Sequence, residues 1–236
     1  MAEPNVQPSP MPAQDHAILR RGILGGVCTC LFTVAYSIHR HPGIVSSPAT
    51  PIFLSLFLAG VLWYGFAAVR WTHVATRDDF VILRHGAMWG VGIGLAWTVE
   101  VVGGNVIVPH QFGAGIGVLA AVAAATMPVV AGATEAAKTG RIGSGARVGF
   151  WSGAVSGVIT FVALAAVGYL VVSVPGFPGV ETPRNVGRTL TANELAAFNI
   201  GDYLAGGVSH LAVIGAPFCS AAGAFGGVLV RMFRSE

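Results

Sequence analysis

The sequence predicts an all-α polytopic membrane protein with six transmembrane helices. Three observations predict it. Only 10% of the 236 residues are charged and 54% are hydrophobic, whereas a soluble domain carries roughly 25% charged residues and needs them to cover its surface. Six apolar runs follow one another, each near the ~20 residues that cross a hydrocarbon core. Lysine and arginine gather in alternate connections between those runs. The mean hydropathy of +0.71 agrees.

The chain opens on Met1–Asp15, with four prolines and no apolar run. This composition predicts a disordered tail, extended here to residues 1–19, rather than a cleaved signal. The membrane domain then covers residues 20–236. Its runs fall at about Gly22–Ile38, Ile52–Val69, His85–Val102, Phe112–Ala133, Val148–Val172 and Tyr203–Val230. No water reaches a backbone at that depth, so each run is expected to be helical. Pro128 and Pro217 fall inside the fourth and sixth runs and are expected to kink them.

The longest connection is an outer loop at 173–202. Thr191-Ala192-Asn193-Glu194 has the spacing of a capping box and starts a helix near Ala192. Leu195, Phe198 and Tyr203 are expected to lay that short helix along the membrane surface before the sixth span.

Ten cations (Arg20, Arg21, Arg70, Arg77, Arg84, Lys138, Arg141, Arg147, Arg231 and Arg234) fall on one side and three (Arg40, Arg184 and Arg188) on the other. This asymmetry places both termini in the cytoplasm of a cell whose inner membrane, bacterial by this reading, holds the protein. It also accounts for the net charge of +3, so no nucleic-acid partner is implied. The partners expected are the lipid bilayer and either other membrane proteins or further copies of this chain. Cys28, Cys30 and Cys219 lie within apolar runs and read as small buried hydrophobes.

One pattern occurs three times. Arg20 precedes Gly22, Gly26 and Cys30; Arg84 precedes Gly86, Gly90 and Gly94; Arg147 precedes Gly149, Gly153 and Gly157. Residues four apart share a helix face. Each copy is therefore a stripe of small residues, of the kind that lets transmembrane backbones approach closely. The copies begin 64 and 63 residues apart, which points to three consecutive helical hairpins related as parallel repeats. Coincidence in a chain of 33 glycines is the competing explanation, since the even-numbered helices show no matching repeat.

Chemistry is sparse. Glu100 is the one acid inside the marked runs, about 24 Å along its helix from Arg84. An ionisable group at such depth is a functional candidate. His110, His210 and Asp202 belong to the same outer side. With Glu100 they are the candidates for a proton or cation site, although no pair has the spacing that fixes two ligands on one helix. No metal site and no cofactor is expected. Ser156 in Ala154-Val155-Ser156-Gly157, with His210, resembles the serine and histidine of the rhomboid intramembrane proteases. However, alanine replaces the first glycine of that motif, and the two residues fall toward opposite sides. No nucleophile, base and oxyanion partner converge elsewhere, so an enzyme is not expected. The first functional reading is a non-catalytic subunit or assembly component of a membrane complex, joined through its glycine stripes. The alternative is a transporter or channel for a small solute, proton or metal ion, using Glu100 and the outer histidines.

Overall fold

The computed structural model describes residues 13–46, 49–73, 77–103, 110–173 and 190–234. Its elements are α1 (Ala13–Arg40), a 3-10 turn (Pro42–Ser46), α2 (Thr50–His73), α3 (Arg77–Val102), α4 (His110–Thr139) and α5 (Ile142–Ser173). The chain then forms α6 (Ala192–Ser209), a π-type segment (His210–Phe218) and α7 (Cys219–Arg234). Every element is helical, and six stretches are long and apolar enough to cross a membrane. The sixth stretch is α6, the π-type segment and α7 taken together, Ala192–Arg234. The chain is an all-α polytopic membrane protein.

Its surface agrees with that class. Phe32, Leu62 and Leu119 are about 70% exposed, at 71%, 69% and 72%. In water such side chains would drive association; in a bilayer they meet acyl chains.

Helix α5 is the hub. Half of its apolar window is buried, against 17% for α1, and it packs on α1, α3, α4, α6 and α7. Small residues allow this crowding on several sides at once. Gly140 makes the turn between α4 and α5. Its φ of +68° is left-handed, a conformation that costs other residues roughly 1–2 kcal/mol. Its N–H donates to Ala136 O at 2.8 Å, closing the end of α4. Thr139 and Ser144 hydroxyls meet across the turn at 2.5 Å.

Two sequence expectations need correction. Helix α1 begins at Ala13, so residues 13–19 are helical rather than tail; residues 1–12 lie outside those described. No glycine or proline interrupts Ala13–Arg21, and a helix already nucleated by the apolar run extends cheaply through good formers. The helix after the outer loop is not separate from the sixth span but continuous with it. The capping box forms as read: Thr191 Oγ1 accepts from Glu194 N–H, and the Glu194 carboxylate accepts from Thr191 N–H. From there α6 runs directly into the last span. Ala197, Ile200, Leu204 and Val208 form one buried face, and that stripe packs the helix against the bundle.

The two prolines differ. Helix α4 passes through Pro128 without interruption. Before Pro217 the last span breaks, with Gly215 at φ −61° and ψ −112°.

Candidate functional site

The break in the last span organises the centre of the bundle. Pro217 has no N–H to give, and Gly215 turns out of helical geometry, so backbone polar groups lose their usual partners where water is absent. The hydroxyl of Tyr64, on α2, supplies what is missing. It donates to the Leu211 carbonyl and accepts from the Ala216 N–H at 3.1 Å. Tyr64 is 2% exposed, and its ring packs edge-on against Phe150 of α5 with centroids 6.3 Å apart. Cys219 helps from below, its thiol donating to Ile214 O at 3.5 Å.

Glycine on α5 makes room for the break. Gly145 faces Gly223, Gly149 faces Cys219, Gly153 faces Gly215, Gly157 faces Leu211 and Phe161 faces Gly207. Successive contacts are four residues apart on both strands of this antiparallel pair. A Cβ built on Gly215 would lie 2.8 Å from each of three oxygens: Gly153 O, His210 O and Tyr64 Oη. Two turns along α5 from Gly153, the Thr160 hydroxyl is wholly buried and has no hydrogen-bond partner among the described residues.

The three arginine–glycine copies have different surroundings. Gly86, Gly90 and Gly94 of α3 lie against α5: Cβ atoms there would come 2.6 Å from Trp151 Cβ, 2.6 Å from Ser152 O and 2.9 Å from Ile159 Cβ respectively. Gly149, Gly153 and Gly157 lie against the last span. Gly26 meets only the Val158 side chain, and Gly22 has nothing within 4 Å.

The outer-side candidates do not assemble. Glu100 turns toward α4, with its Cγ and Oε1 each 3.8 Å from where a Gly117 Cβ would stand. His210 packs on Trp97 of α3, ring centroids 4.6 Å apart. Asp202 is exposed and lines an outer cavity. The His110 side chain lies outside the described residues. Among the described residues, no three of His, Cys, Asp and Glu gather closely enough to hold a metal ion.

A buried carboxylate escaped the sequence reading. Glu135, near the end of α4, is 4% exposed and lies 3.1 Å from His85 Nδ1 of α3. It falls just past Ala133, the expected end of the fourth run, and so outside the marked runs in which Glu100 is the one acid. Tyr64 was missed too, because nothing within its own segment marks which helix its hydroxyl will meet. The partner stripe was legible: Gly207, Leu211, Gly215, Cys219, Gly223 and Gly227 repeat every four residues.

A cavity of about 460 Å³, called the outer cavity after the expected topology, lies between the C-terminal end of α1, the N-terminal end of α2, the 3-10 turn and α6. Its lining includes Phe57, Leu204 and Val208, all three buried. Phe57 stacks on Phe161 of α5, centroids 5.5 Å apart. Leu211, held by Tyr64, is three residues beyond Val208, about one helical turn. At the outer end His41 sits near Arg40. Partial burial, then that neighbouring charge, hold its imidazole below its ordinary value.

No protein-family model, curated protein or solved structure matches the chain.

Proposed function

We propose that the chain moves a small solute across the membrane, with the last span as its moving element. One observation carries this reading: the lining of the outer cavity reaches Val208, seven residues or about two helical turns from the break at Gly215 in a membrane-spanning helix. Broken helices at membrane depth are typical where transporters bind and release substrate. A break closed by one side-chain hydroxyl reopens more readily than a continuous helix. The glycine faces of α3 and α5, the original argument for an external partner, meet helices of this same chain. Glu100 and the outer histidines are not needed for this reading.

Cys219, 2% exposed and adjacent to the break, tests both the motion and the orientation. In a chain with Cys28 and Cys30 changed to serine, a membrane-impermeant maleimide is expected to label Cys219 in inverted vesicles and to leave intact cells unlabelled. Labelling from intact cells would reverse the orientation that puts the arginine-rich end in the cytoplasm. Protection from both sides over hours, in protein that labels fully once denatured, would remove the moving element.

A second reading is favoured by α1. Gly22 and Gly25 have nothing within 4 Å, and Cys28 and Phe32 on the same helix are exposed. That open face fits a neighbouring subunit or a second copy of this chain. Native mass in mild detergent is expected to exceed that of one chain and to fall to it with Gly25→Leu. A monomer that behaves identically with and without the substitution would leave α1 facing lipid.

A further inference from the structure

Toward the end of the chain, the register of the α7 glycines decides what meets the turn between α4 and α5. Gly223 lies against Gly145, and a Cβ on Gly227 would stand 3.2 Å from Ile142 Cα and 3.3 Å from Ala136 Cβ. The two helices run antiparallel, so the next turn of α7 arrives beside the start of α5. Arg231 and Arg234, four and seven residues beyond Gly227, share its helix face. Both line a cavity of about 240 Å³, together with Gly140, Arg141 and Ile142. Three arginines from two distant segments therefore border one small space. Charge of one sign gathered there is unfavourable unless an anion answers it. Elsewhere at this end of the bundle an arginine with an acid nearby pairs with it, as Arg147 does with Asp79. Among the described residues, no carboxylate lines the cavity and no ion pair includes Arg141, Arg231 or Arg234. The helix dipole favours cations in the last turn of α7, but it does not explain why they meet Arg141. The surroundings are those of a membrane boundary. Ile142 and Val230 supply the apolar lining, and Phe233, in the last turn of α7, is 79% exposed. Such a ring belongs among acyl chains, with the arginines beside it reaching toward head groups.

We propose that this cavity binds a phosphate group, carried by an anionic phospholipid of the leaflet at this end of the bundle. Guanidinium forks hold phosphate oxygens through paired, charge-assisted hydrogen bonds, and basic pockets between membrane helices bind anionic head groups. Free phosphate offers the same oxygens; the apolar lining and the exposed ring favour the lipid. The site is independent of the transport reading and of which side of the membrane this end faces.

The test uses the full chain in neutral maltoside micelles, titrated with dioctanoylphosphatidylglycerol and followed by native mass spectrometry and melting temperature. One lipid per chain is expected to bind saturably and to raise the melting temperature. Dioctanoylphosphatidylcholine, with the same tails and phosphate but no net charge, should bind about tenfold more weakly or worse. Arg141→Gln combined with Arg231→Gln should weaken phosphatidylglycerol binding about tenfold or more and melt like the parent without lipid. If that variant is unstable, Arg234→Gln, in the exposed last turn, carries the same test with an expected loss of about fivefold. Arg70→Gln combined with Arg84→Gln removes the same charge from exposed positions outside the cavity and should leave binding unchanged. Equal losses in the two double variants, equal binding of the two lipids, or no saturable binding would each overturn the proposal. Glu236 lies outside the described residues, so Glu236→Gln is titrated alongside. Lipid binding gained only in that variant would show that the chain's own carboxylate fills the cavity, and would overturn the proposal too. Inorganic phosphate should compete poorly. Phosphate that binds by itself and displaces the lipid at millimolar concentration would overturn the lipid as source and assign the cavity to a free anion.

Discussion

Leucine at Gly153 is expected to prevent the bundle from forming. A Cβ at this position collides with the carbonyl group of Gly215 and lies 2.7 Å from the Ala216 nitrogen. Both obstacles are backbone, so no rotamer change relieves them. The only relief is separation of α5 from the last span along a contact that runs from Gly145–Gly223 to Phe161–Gly207. That contact is stabilised by dispersion between close backbones, and lipid offers no hydrophobic force to replace it. Overpacking a core by a few methylenes costs about 1–3 kcal/mol. Parting a whole helix pair removes a large share of a total stability of roughly 5–15 kcal/mol. Gly153→Ala should therefore lose about 2–3 kcal/mol, while Gly153→Leu should yield no monodisperse protein in mild detergent. Gly65→Leu, on α2 where a side chain has open space, is the matched control for expression and should melt with the parent. If Gly153→Leu also melts with the parent, the two helices stand further apart than described.

Phenylalanine at Tyr64 is the second large effect. It keeps the ring against Phe150 and removes one oxygen. That oxygen serves two buried backbone groups, the Leu211 carbonyl and the Ala216 N–H. Each group left unpaired costs about 1–3 kcal/mol, so Tyr64→Phe should destabilise the fold by about 2–5 kcal/mol. The loss should be local in character. Hydrogen exchange at Ala216 should accelerate far more than in α3 or α4, and Cys219 should label faster than in the parent. A uniform rise in exchange across all helices would show that the hydroxyl is merely one of many core contacts. An unchanged melting temperature would show that water already serves the break.

Much of the architecture was legible because it rests on local chain physics. Composition and run length predicted six spans, and the capping box at Thr191–Glu194 forms as its spacing requires. Pro217 broke its helix, yet Pro128 did not break α4, and the local difference, Gly215 against Thr126 two residues earlier, permits a break without making room for it. The difference lies in their surroundings. Beside Pro217, Gly215 can leave helical geometry because Gly153 leaves room and Tyr64 answers the freed groups.

The candidate site was less legible. Glu100, His210 and Asp202 share an end of the bundle, but height along a helix does not fix direction around it. Glu100 turns to Gly117, His210 to Trp97, and Asp202 to the outer cavity. Glu135 shows the converse: an acid outside the marked runs is buried, with His85 of α3 beside it.

By itself the sequence determined that the chain is a six-span helical membrane protein, where most helices run, and which faces carry small residues. Those properties follow from transfer free energy and backbone hydrogen bonding within one segment. Only the tertiary structure decided that the α3 stripe lies on α5, that the α5 stripe lies on the last span, and that α1 keeps an open face. It likewise decided that a tyrosine from α2 closes a break in the last span. Pairing and azimuth are set by close packing among several helices at once, and no single segment encodes which neighbour it will meet.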